Sequence, residues 1–276
     1  MSDSTVKRPD GCSLYQRDWA PANSTAVRGG VYLFHGLGEH VGRYDALAGW
    51  LVERGWRVRG HDHRGHGRSE GARGALQAPD DLLDDGLAML ADFAADLGSP
   101  PVLLGHSLGG TLAAQAVVAR HAPVRGLVLS SPAFDPGLSG GQKMLAKVLN
   151  ALAPNLGVNN GLDPTFVSRD PQQVQAYRTD PLVHAKITAR LLTWLIRAGL
   201  RAQATADTLA VETLLLVAGA DRLVDPAGSR RFADAAPRER LTLHWYDGFY
   251  HELFNEPVAE RAKVLADLDR WLAGRW

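Results

Sequence analysis

A serine, an aspartate and a histidine in three separate parts of the chain have the residue types and spacing for nucleophilic catalysis. Ser107 lies in the pentapeptide GHSLG at 105–109, which matches the pattern G-x-S-x-G. A short apolar run, 101–104, precedes the pattern, and an alanine-rich, helix-forming run, 108–120, follows it. A serine placed between a strand and a helix in this way stands on a sharp turn that exposes its hydroxyl. We therefore predict that Ser107 is a nucleophile.

The predicted partners of the serine come later in the chain, because a serine hydroxyl is a weak nucleophile until a base takes its proton. Two further apolar runs, 214–217 and 241–246, are each followed by one candidate. Asp221 follows the first run and His251 follows the second. Enzymes with this serine motif carry serine, acid and histidine in the same chain order. We predict that His251 is the general base and that Asp221 orients it.

Other residues compete for the roles of acid and base. Asp225 precedes Pro226, where it can instead cap the following helix, and Asp247 is a third candidate for the acid. His244 lies inside an apolar run typical of a strand, so we interpret it as a structural histidine. His251 lies in the loop after that run, and catalytic residues concentrate in such loops.

Ester cleavage also needs donors for the negative oxygen of the tetrahedral intermediate. The backbone N–H of Leu108, directly after the serine, is one predicted donor. The second is the N–H of Leu37 in the segment 35–40, because a loop after an early strand supplies it in enzymes with this motif. Glu39 and Arg43 have two interpretations: contacts to a polar substrate head group, or a surface ion pair.

The segment HDHRGH at 61–66 supports a rival class of function. Clustered histidine and aspartate side chains can bind zinc, so a metal-dependent hydrolase is the alternative. Gly65 stands where such a site would need an aspartate, and the sequence has no second cluster to complete the ligands. We therefore predict no metal and interpret the segment as structural. In this interpretation Asp62 and Arg64 pair and bind the backbone around the serine turn.

The apolar runs and their bounding glycines indicate alternating strands and helices. Strands are predicted at 31–34, 56–59, 101–104, 124–129, 214–217 and 241–246, with a weaker edge strand at 13–19 and a turn at 23–30. Helices are predicted at 44–54, 79–97, 108–120, 226–236 and 256–271. This alternation is typical of a parallel sheet with helices on both faces.

The alternation stops between 134 and 208, where helical patterns and loops remain without a convincing strand. This break predicts a core at 1–134 and 209–276 with a helical cap at 135–208. One stripe in the predicted cap recurs at helical spacing, and we interpret it either as packed on the core or as a surface that touches lipid and admits an acyl chain. The stripe consists of Met144, Leu145, Val148, Leu149 and Leu152, flanked by Lys143 and Lys147.

Composition excludes several classes of function. The 276 residues carry 30 Lys and Arg against 30 Asp and Glu, which gives no electrostatic signature for a nucleic-acid partner. The single cysteine, Cys12, is interpreted as a packed, inert thiol in a strand. The N-terminal residues lack an apolar signal segment, and no apolar run reaches the ~18 residues of a membrane span. We expect a cytoplasmic protein, with peripheral attachment to membranes as the alternative.

Taken together, these motifs resemble the monoacylglycerol lipase and lysophospholipase branch of the α/β-hydrolases, sometimes grouped with the serine aminopeptidases. The similarity extends from about residue 30 to the C terminus. It is carried by HGLGEHVGRY at 35–44, GHDHRGHGRSEG at 60–71, GHSLGG at 105–110, SRDPQQVQAYRTDPLVH at 168–184, GADRLVDP at 219–226 and YDGFYHELFNE at 246–256.

The resemblance implies an α/β-hydrolase fold with an eight-stranded, mostly parallel sheet and a cap inserted after the sixth strand. It implies the triad and oxyanion donors predicted above, no cofactor, and hydrolysis of one ester bond between a fatty acyl chain and glycerol. Many members have methionine where this chain has Leu108, but a backbone N–H is the donor, so we expect little effect.

Substrate identity depends on the predicted cap, whose segment 135–162 matches the family weakly. A general carboxylesterase and a lysophospholipase, acting through the same triad, are therefore alternatives. A ligand receptor of the same fold without catalysis is the alternative from another class. A dehalogenase or epoxide hydrolase would need a carboxylate in place of Ser107. In every case the expected partner is a small molecule, and the oligomeric state stays open.

Overall fold

The computed structural model describes residues 1–21 and 27–275. Residues 23–26 of the predicted turn lie outside this range, and the turn's last two residues, Gly29 and Gly30, instead begin a strand. The strands in the described part are β1 (Ser2–Lys7), β2 (Ser13–Trp19), β3 (Gly29–Phe34), β4 (Trp56–His61), β5 (Val102–His106), β6 (Gly126–Ser130), β7 (Gly157–Asn159), β8 (Lys186–Thr188), β9 (Thr213–Ala218) and β10 (Leu241–Tyr246).

The helices lie between these strands, as the alternation of patterns predicts. They are α1 (Asp45–Glu53), α2 (Asp81–Leu97), α3 (Leu108–Ala114), α4 (Gly140–Leu152), α5 (Pro171–Thr179), α6 (Ala189–Ala204), α7 (Ala227–Ala235) and α8 (Val258–Ala273). The predicted helix 108–120 is α3 followed by a π-helical turn, Gln115–Ala119. Gly98 ends α2 in the left-handed conformation, φ 71°, which glycine adopts without steric cost.

One sheet of eight strands has the order β1-β2-β4-β3-β5-β6-β9-β10. The six strands from β4 to β10 in this order are parallel, whereas β1 and β2 pair in antiparallel fashion. The predicted edge position of 13–19 is wrong, because β1 covers the outer side of β2. The polar sequence of β1, SDSTVK, has none of the apolar alternation that marks a strand, so the sequence analysis did not predict it.

The sheet separates two hydrophobic clusters, because its central strands are buried on both faces. Tyr32, Phe34 and Leu103 belong to one cluster, which continues into α2, α3 and α6. Val31 and Leu33, whose side chains alternate with these along β3, belong to the other cluster, which continues into α1 and α8. No helix within residues 1–21 and 27–275 has the length and apolar character needed to span a membrane.

The chain between β6 and β9 contains α4, β7, α5, β8 and α6. The prediction of a strand-free insertion is wrong, because β7 and β8 form a short antiparallel pair. The pair joins residues 157–159 to 186–188, and each strand has three residues. Strands this short carry too little sequence for a recognisable alternation.

Candidate active site

Ser107 joins β5 to α3 with φ 53° and ψ −119°, a conformation that non-glycine residues rarely adopt. Small neighbours permit the turn. A Cβ at Gly105 would overlap the carbonyl oxygen of Gly109, and a Cβ at Gly109 would overlap that of Phe34. The turn leaves Ser107 on the wall of a cavity, and its hydroxyl makes no hydrogen bond to any described residue. The hydroxyl is therefore free to meet a substrate.

Asp221 and His251 meet above the sheet, although 30 residues separate them. Asp221 Oδ2 lies 2.6 Å from His251 Nδ1. Its other oxygen, Oδ1, accepts the backbone N–H groups of Leu223 and Val224 at 2.9 and 3.1 Å. These bonds hold the carboxylate in one orientation, so that Nδ1 of His251 carries a hydrogen and Nε2 can act as a base.

The charge around His251 favours its protonated form. Burial disfavours the imidazolium, but the carboxylates of Asp221, Glu252 and Glu39 together outweigh burial and raise the pKa of His251. The ring of His106 lies 4.7 Å from that of His251. Burial lowers the pKa of His106 to about 4, so this neighbour is neutral near pH 7 and adds no positive charge.

Ser107 and His251 line the same cavity, whose volume is about 430 Å³. Leu37 and Leu108 also line it, and neither backbone N–H has a hydrogen-bond acceptor within 1–21 or 27–275. Leu108 is the first residue of α3, where N–H groups are unpaired and the helix dipole favours negative charge. Two free N–H groups beside one serine can stabilise an oxyanion.

The rest of the cavity wall is mostly apolar, which suits a hydrocarbon chain. The body below the predicted cap supplies Ala133, Leu223 and Val224, and the chain between β6 and β9 supplies much of the remainder. The apolar residues from that insertion are Leu138, Leu145, Ala146, Leu149, Val158, Leu162, Ile187, Leu192 and Leu195.

The cap stripe on α4 does not pack on the core, so that interpretation is wrong. Met144, Leu145 and Leu152 are 61%, 56% and 79% exposed, and Val148 is also exposed. Ala146 is the buried residue of this helix. Leu145 and Leu149 also line the cavity. The apolar side of α4 thus extends from the outer surface of the protein to the wall of the cavity.

Glu39 and Arg43 do not line the cavity that contains Ser107. Glu39 Oε1 accepts the N–H of Gly36 at 2.6 Å and the hydroxyl of Tyr44 at 2.7 Å. Arg43 donates to Glu39 at 2.6 Å and to Glu252 at 2.5 and 2.7 Å. The predicted ion pair of Glu39 with Arg43 is therefore present, but it is buried rather than at the surface, and Glu252 joins it.

Glu252 is the residue of this network that the sequence analysis missed. It follows His251 directly and pairs with an arginine 209 positions earlier in the chain. Its acidic side chain in an otherwise apolar segment, FYHELF, is the signal that could have singled it out. Its partner could not be predicted, because a separation of this length carries no local pattern.

The histidine-rich segment is structural, but its predicted contacts are wrong. Asp62 does not pair with Arg64; it accepts the N–H groups of Val41 and Arg68 at 2.8 and 2.7 Å. Arg64 instead pairs with three carboxylates, those of Asp10, Asp81 and Asp85. Within residues 1–21 and 27–275, no cluster of three or more His, Cys, Asp or Glu side chains could hold a metal ion.

The remaining candidates lie in structural positions. Asp225 Oδ1 accepts the N–H of Ala227 at 2.9 Å, as expected of a helix cap, and Asp247 is exposed. His244 Nδ1 lies 3.4 Å from Asp267. Cys12 lies just before β2 rather than in a strand, and burial raises the pKa of its thiol, which disfavours the reactive thiolate.

Comparisons with known proteins identify the family of the chain. The model of the family "Serine aminopeptidase, S33" matches residues 25–258. A monoacylglycerol lipase of Mycolicibacterium smegmatis is 39% identical over 92% of this chain and 90% of that protein. A monoglyceride lipase of Rattus norvegicus is 34% identical over 96% of this chain and 88% of that protein.

The solved structures include a similar protein of known fold. The crystal structure of the monoacylglycerol lipase of Paleococcus ferrophilus superposes with a TM-score of 0.84 at 35% identity. The match covers 94% of this chain and 98% of that chain. The chain therefore belongs to the serine aminopeptidase S33 family, within the monoacylglycerol lipase branch of the α/β-hydrolases, and is a serine ester hydrolase.

Proposed function

We propose that this protein hydrolyses monoacylglycerols to fatty acid and glycerol, with Ser107 as nucleophile, His251 as general base and Asp221 as the acid that orients it. The observation that carries the proposal is the one cavity shared by Ser107, His251, Leu37 and Leu108. Its apolar wall suits an acyl chain. The similarity to monoacylglycerol lipases supports a glycerol ester as the substrate.

In acylation, the serine, the histidine, the aspartate and the two N–H donors each have one role. Nε2 of His251 takes the proton of Ser107 Oγ as Oγ attacks the ester carbonyl carbon. The carbonyl oxygen becomes negative and accepts the N–H groups of Leu37 and Leu108. Asp221 holds the Nδ1–H of His251 and stabilises the imidazolium through its charge.

Acylation ends when His251 gives its proton to the ester oxygen of glycerol and the bond between that oxygen and the carbonyl carbon breaks. Glycerol departs, and the acyl group stays on Ser107. Deacylation then repeats the same chemistry with water. A water molecule then loses a proton to His251 and attacks the acyl carbonyl. The intermediate collapses, Ser107 regains its proton from His251, and the fatty acid leaves.

We assign 135–208 as the cap and 1–134 and 209–276 as the core. Support comes from the cavity: the cap supplies most of its apolar wall, whereas the core supplies the serine and the histidine. The cap should therefore determine which acyl chains bind, while the core performs the reaction.

We also assign the exposed side of α4 as a surface that contacts lipid aggregates. Apolar side chains exposed in a cluster mark interaction sites, and lysines beside such a cluster favour an anionic lipid surface. Here Lys143 and Lys147 lie on the same helix as Met144 and Leu152. Leu145 lies both on this face and on the cavity wall, which gives an acyl chain a route from lipid to Ser107.

The test is hydrolysis of monoacylglycerols, lysophospholipids, triacylglycerols and p-nitrophenyl esters by the wild type and by Ser107→Ala. We expect the fastest cleavage with monoacylglycerols and a loss on the order of 10⁶ in kcat for the variant. The matched control is Ser131→Ala, since Ser131 is also buried with positive φ, 40°, but does not line the cavity.

Each other outcome changes one part of the proposal. Faster cleavage of lysophospholipids or of short esters alone would replace the substrate and keep the triad. A loss of only tenfold in Ser107→Ala would place the nucleophile elsewhere. Ligand binding without turnover of any ester would identify a receptor instead of an enzyme.

A further inference from the structure

A buried cluster of three charges connects the two loops that surround Ser107. The guanidinium of Arg43 lies between the carboxylates of Glu39 and Glu252, with hydrogen bonds of 2.5 to 2.7 Å. The side chains of Glu39, Arg43 and Glu252 are only 4%, 8% and 7% exposed. The ring of Tyr177, from α5, covers Arg43 at 4.7 Å.

Each carboxylate holds a segment next to a reacting group. Glu39 Oε1 accepts the N–H of Gly36, the residue before the oxyanion donor Leu37. Glu252 directly follows the general base His251, and its backbone N–H donates to the carbonyl oxygen of Val167 at 2.8 Å. Arg43 bridges the two carboxylates and so links the oxyanion loop to the histidine loop.

The cluster also has an excess of one negative charge, because two carboxylates face one guanidinium. Burial alone would raise the pKa of Glu252, but Arg43 outweighs it and holds that pKa below its usual range. Glu252 is therefore ionised near pH 7. The excess charge lies close to His251, which becomes positive during the reaction.

A role in stability alone is a poor explanation of this cluster. Removing charges from water is unfavourable, and a well-packed apolar replacement of a buried ion pair is often neutral or stabilising. The second carboxylate, whose charge the single guanidinium does not balance, makes the free energy of burial more unfavourable. Its contacts with both loops favour a role in the reaction instead.

We propose that Glu252 is a positioning residue for the reaction: through Arg43 and Glu39 it sets the distance between His251 and the N–H of Leu37, and its charge stabilises the imidazolium of His251. This inference rests on the proposed function, because both loops must take part in catalysis. The groups that face His251 are Asp221, Glu252, Glu39 and the neutral His106.

The test is Glu252→Gln, which keeps the shape of the side chain and removes its charge. We expect the acid limb of the profile of kcat/KM against pH to move to lower pH by roughly half to one unit. We expect kcat to fall roughly ten- to a hundredfold, with little change in KM for a short p-nitrophenyl ester. Glu252→Asp should retain the wild-type acid limb, because it keeps the charge.

Glu256→Gln is the matched control, because Glu256 is another buried glutamate paired with an arginine, Arg169. We expect it to leave the acid limb in place. Equal acid limbs for the wild type and Glu252→Gln, with full loss of activity in Ser107→Ala, would overturn this inference and keep the proposed function. Should Glu252→Gln not fold, Glu39→Gln removes the other carboxylate, and the same shift to lower pH is required.

Discussion

Four histidines packed together should make this protein sensitive to mild acid. His35, His61, His63 and His66 are completely buried. Neighbouring rings lie as close as 4.1 Å, the distance between His35 and His63. Burial lowers the pKa of each, to about 3 for His61 and well below the usual range for the other three. All four are therefore neutral in the folded protein.

The hydrogen bonds explain why a proton is excluded. His35 Nε2 accepts the N–H of His63 at 2.9 Å, so it has no room for a hydrogen. Nε2 of His61, Nδ1 of His63 and Nε2 of His66 are buried and have no partner in the described part of the chain. A second proton on any of these rings would create a buried imidazolium with an N–H that has no acceptor, which is unfavourable.

The size of the effect follows from proton linkage. An unfolded histidine binds a proton below pH ~6.5, whereas these folded histidines do not, so the free energy of unfolding falls as pH drops. Between pH 7 and pH 5 each histidine should contribute a loss of about 2 kcal/mol, and the four together a loss of about 8 kcal/mol. The loss reverses when the pH is raised.

The assay is urea unfolding at pH 7 and at pH 5, for the wild type, His66→Asn and His121→Asn. Asn at 66 can replace the bond that Nδ1 makes to the carbonyl of Arg64, 3.0 Å, without a titrating group. We expect the difference between the two pH values to shrink by about 2 kcal/mol in His66→Asn. His121 is exposed, so His121→Asn is the control and should leave the difference unchanged. An equal pH dependence in all three proteins would refute the reasoning.

Three further predictions concern the reaction and the binding of lipid. Asp221→Asn should lower kcat by roughly 10⁴, because it reverses the hydrogen bond that orients His251. The wild-type rate should rise with pH through a midpoint above ~6.5, since the pKa of His251 is raised. Steady-state kinetics from pH 5 to 9 check both predictions. Replacing Met144 and Leu152 together by Asp should reduce sedimentation with anionic phospholipid vesicles, because both side chains are exposed on α4. Neither residue lines the cavity, so cleavage of a short water-soluble ester should stay nearly unchanged. Undiminished vesicle binding by the folded variant would contradict the lipid-contact assignment of α4.

Much of the fold was predictable because its signals are local. Short apolar runs bounded by glycine predicted all six parallel strands to within two residues at each end. The residues around Ser107 predicted its turn, because only small neighbours fit where Gly105 and Gly109 pack against backbone. The contact between Asp221 and His251 was predictable from chain order, since the carboxyl ends of parallel strands meet at one edge of the sheet.

Other features depend on partners that are distant in the chain. β1 is a strand because the edge of β2 accepts it, although its own sequence is polar. The stripe on α4 has the periodicity of a buried helix face, but the sequence does not state whether another element covers it. Periodicity predicts which residues share a face, and only packing decides whether that face meets protein or solvent.

By itself, the sequence determined the elements of the sheet, the turn at Ser107 and the candidates for its partners, because turn chemistry and apolar periodicity act over a few neighbouring residues. The tertiary structure alone decided which charged side chains pair over long separations in the chain. Glu39 is four residues from Arg43, and the sequence analysis offered that pair, but the pairing of Arg43 with Glu252 depends on two loops meeting across 209 residues. Electrostatic attraction produces no periodic pattern in the sequence that would identify the two partners. These contacts form only when the fold has excluded water and brought the charges together.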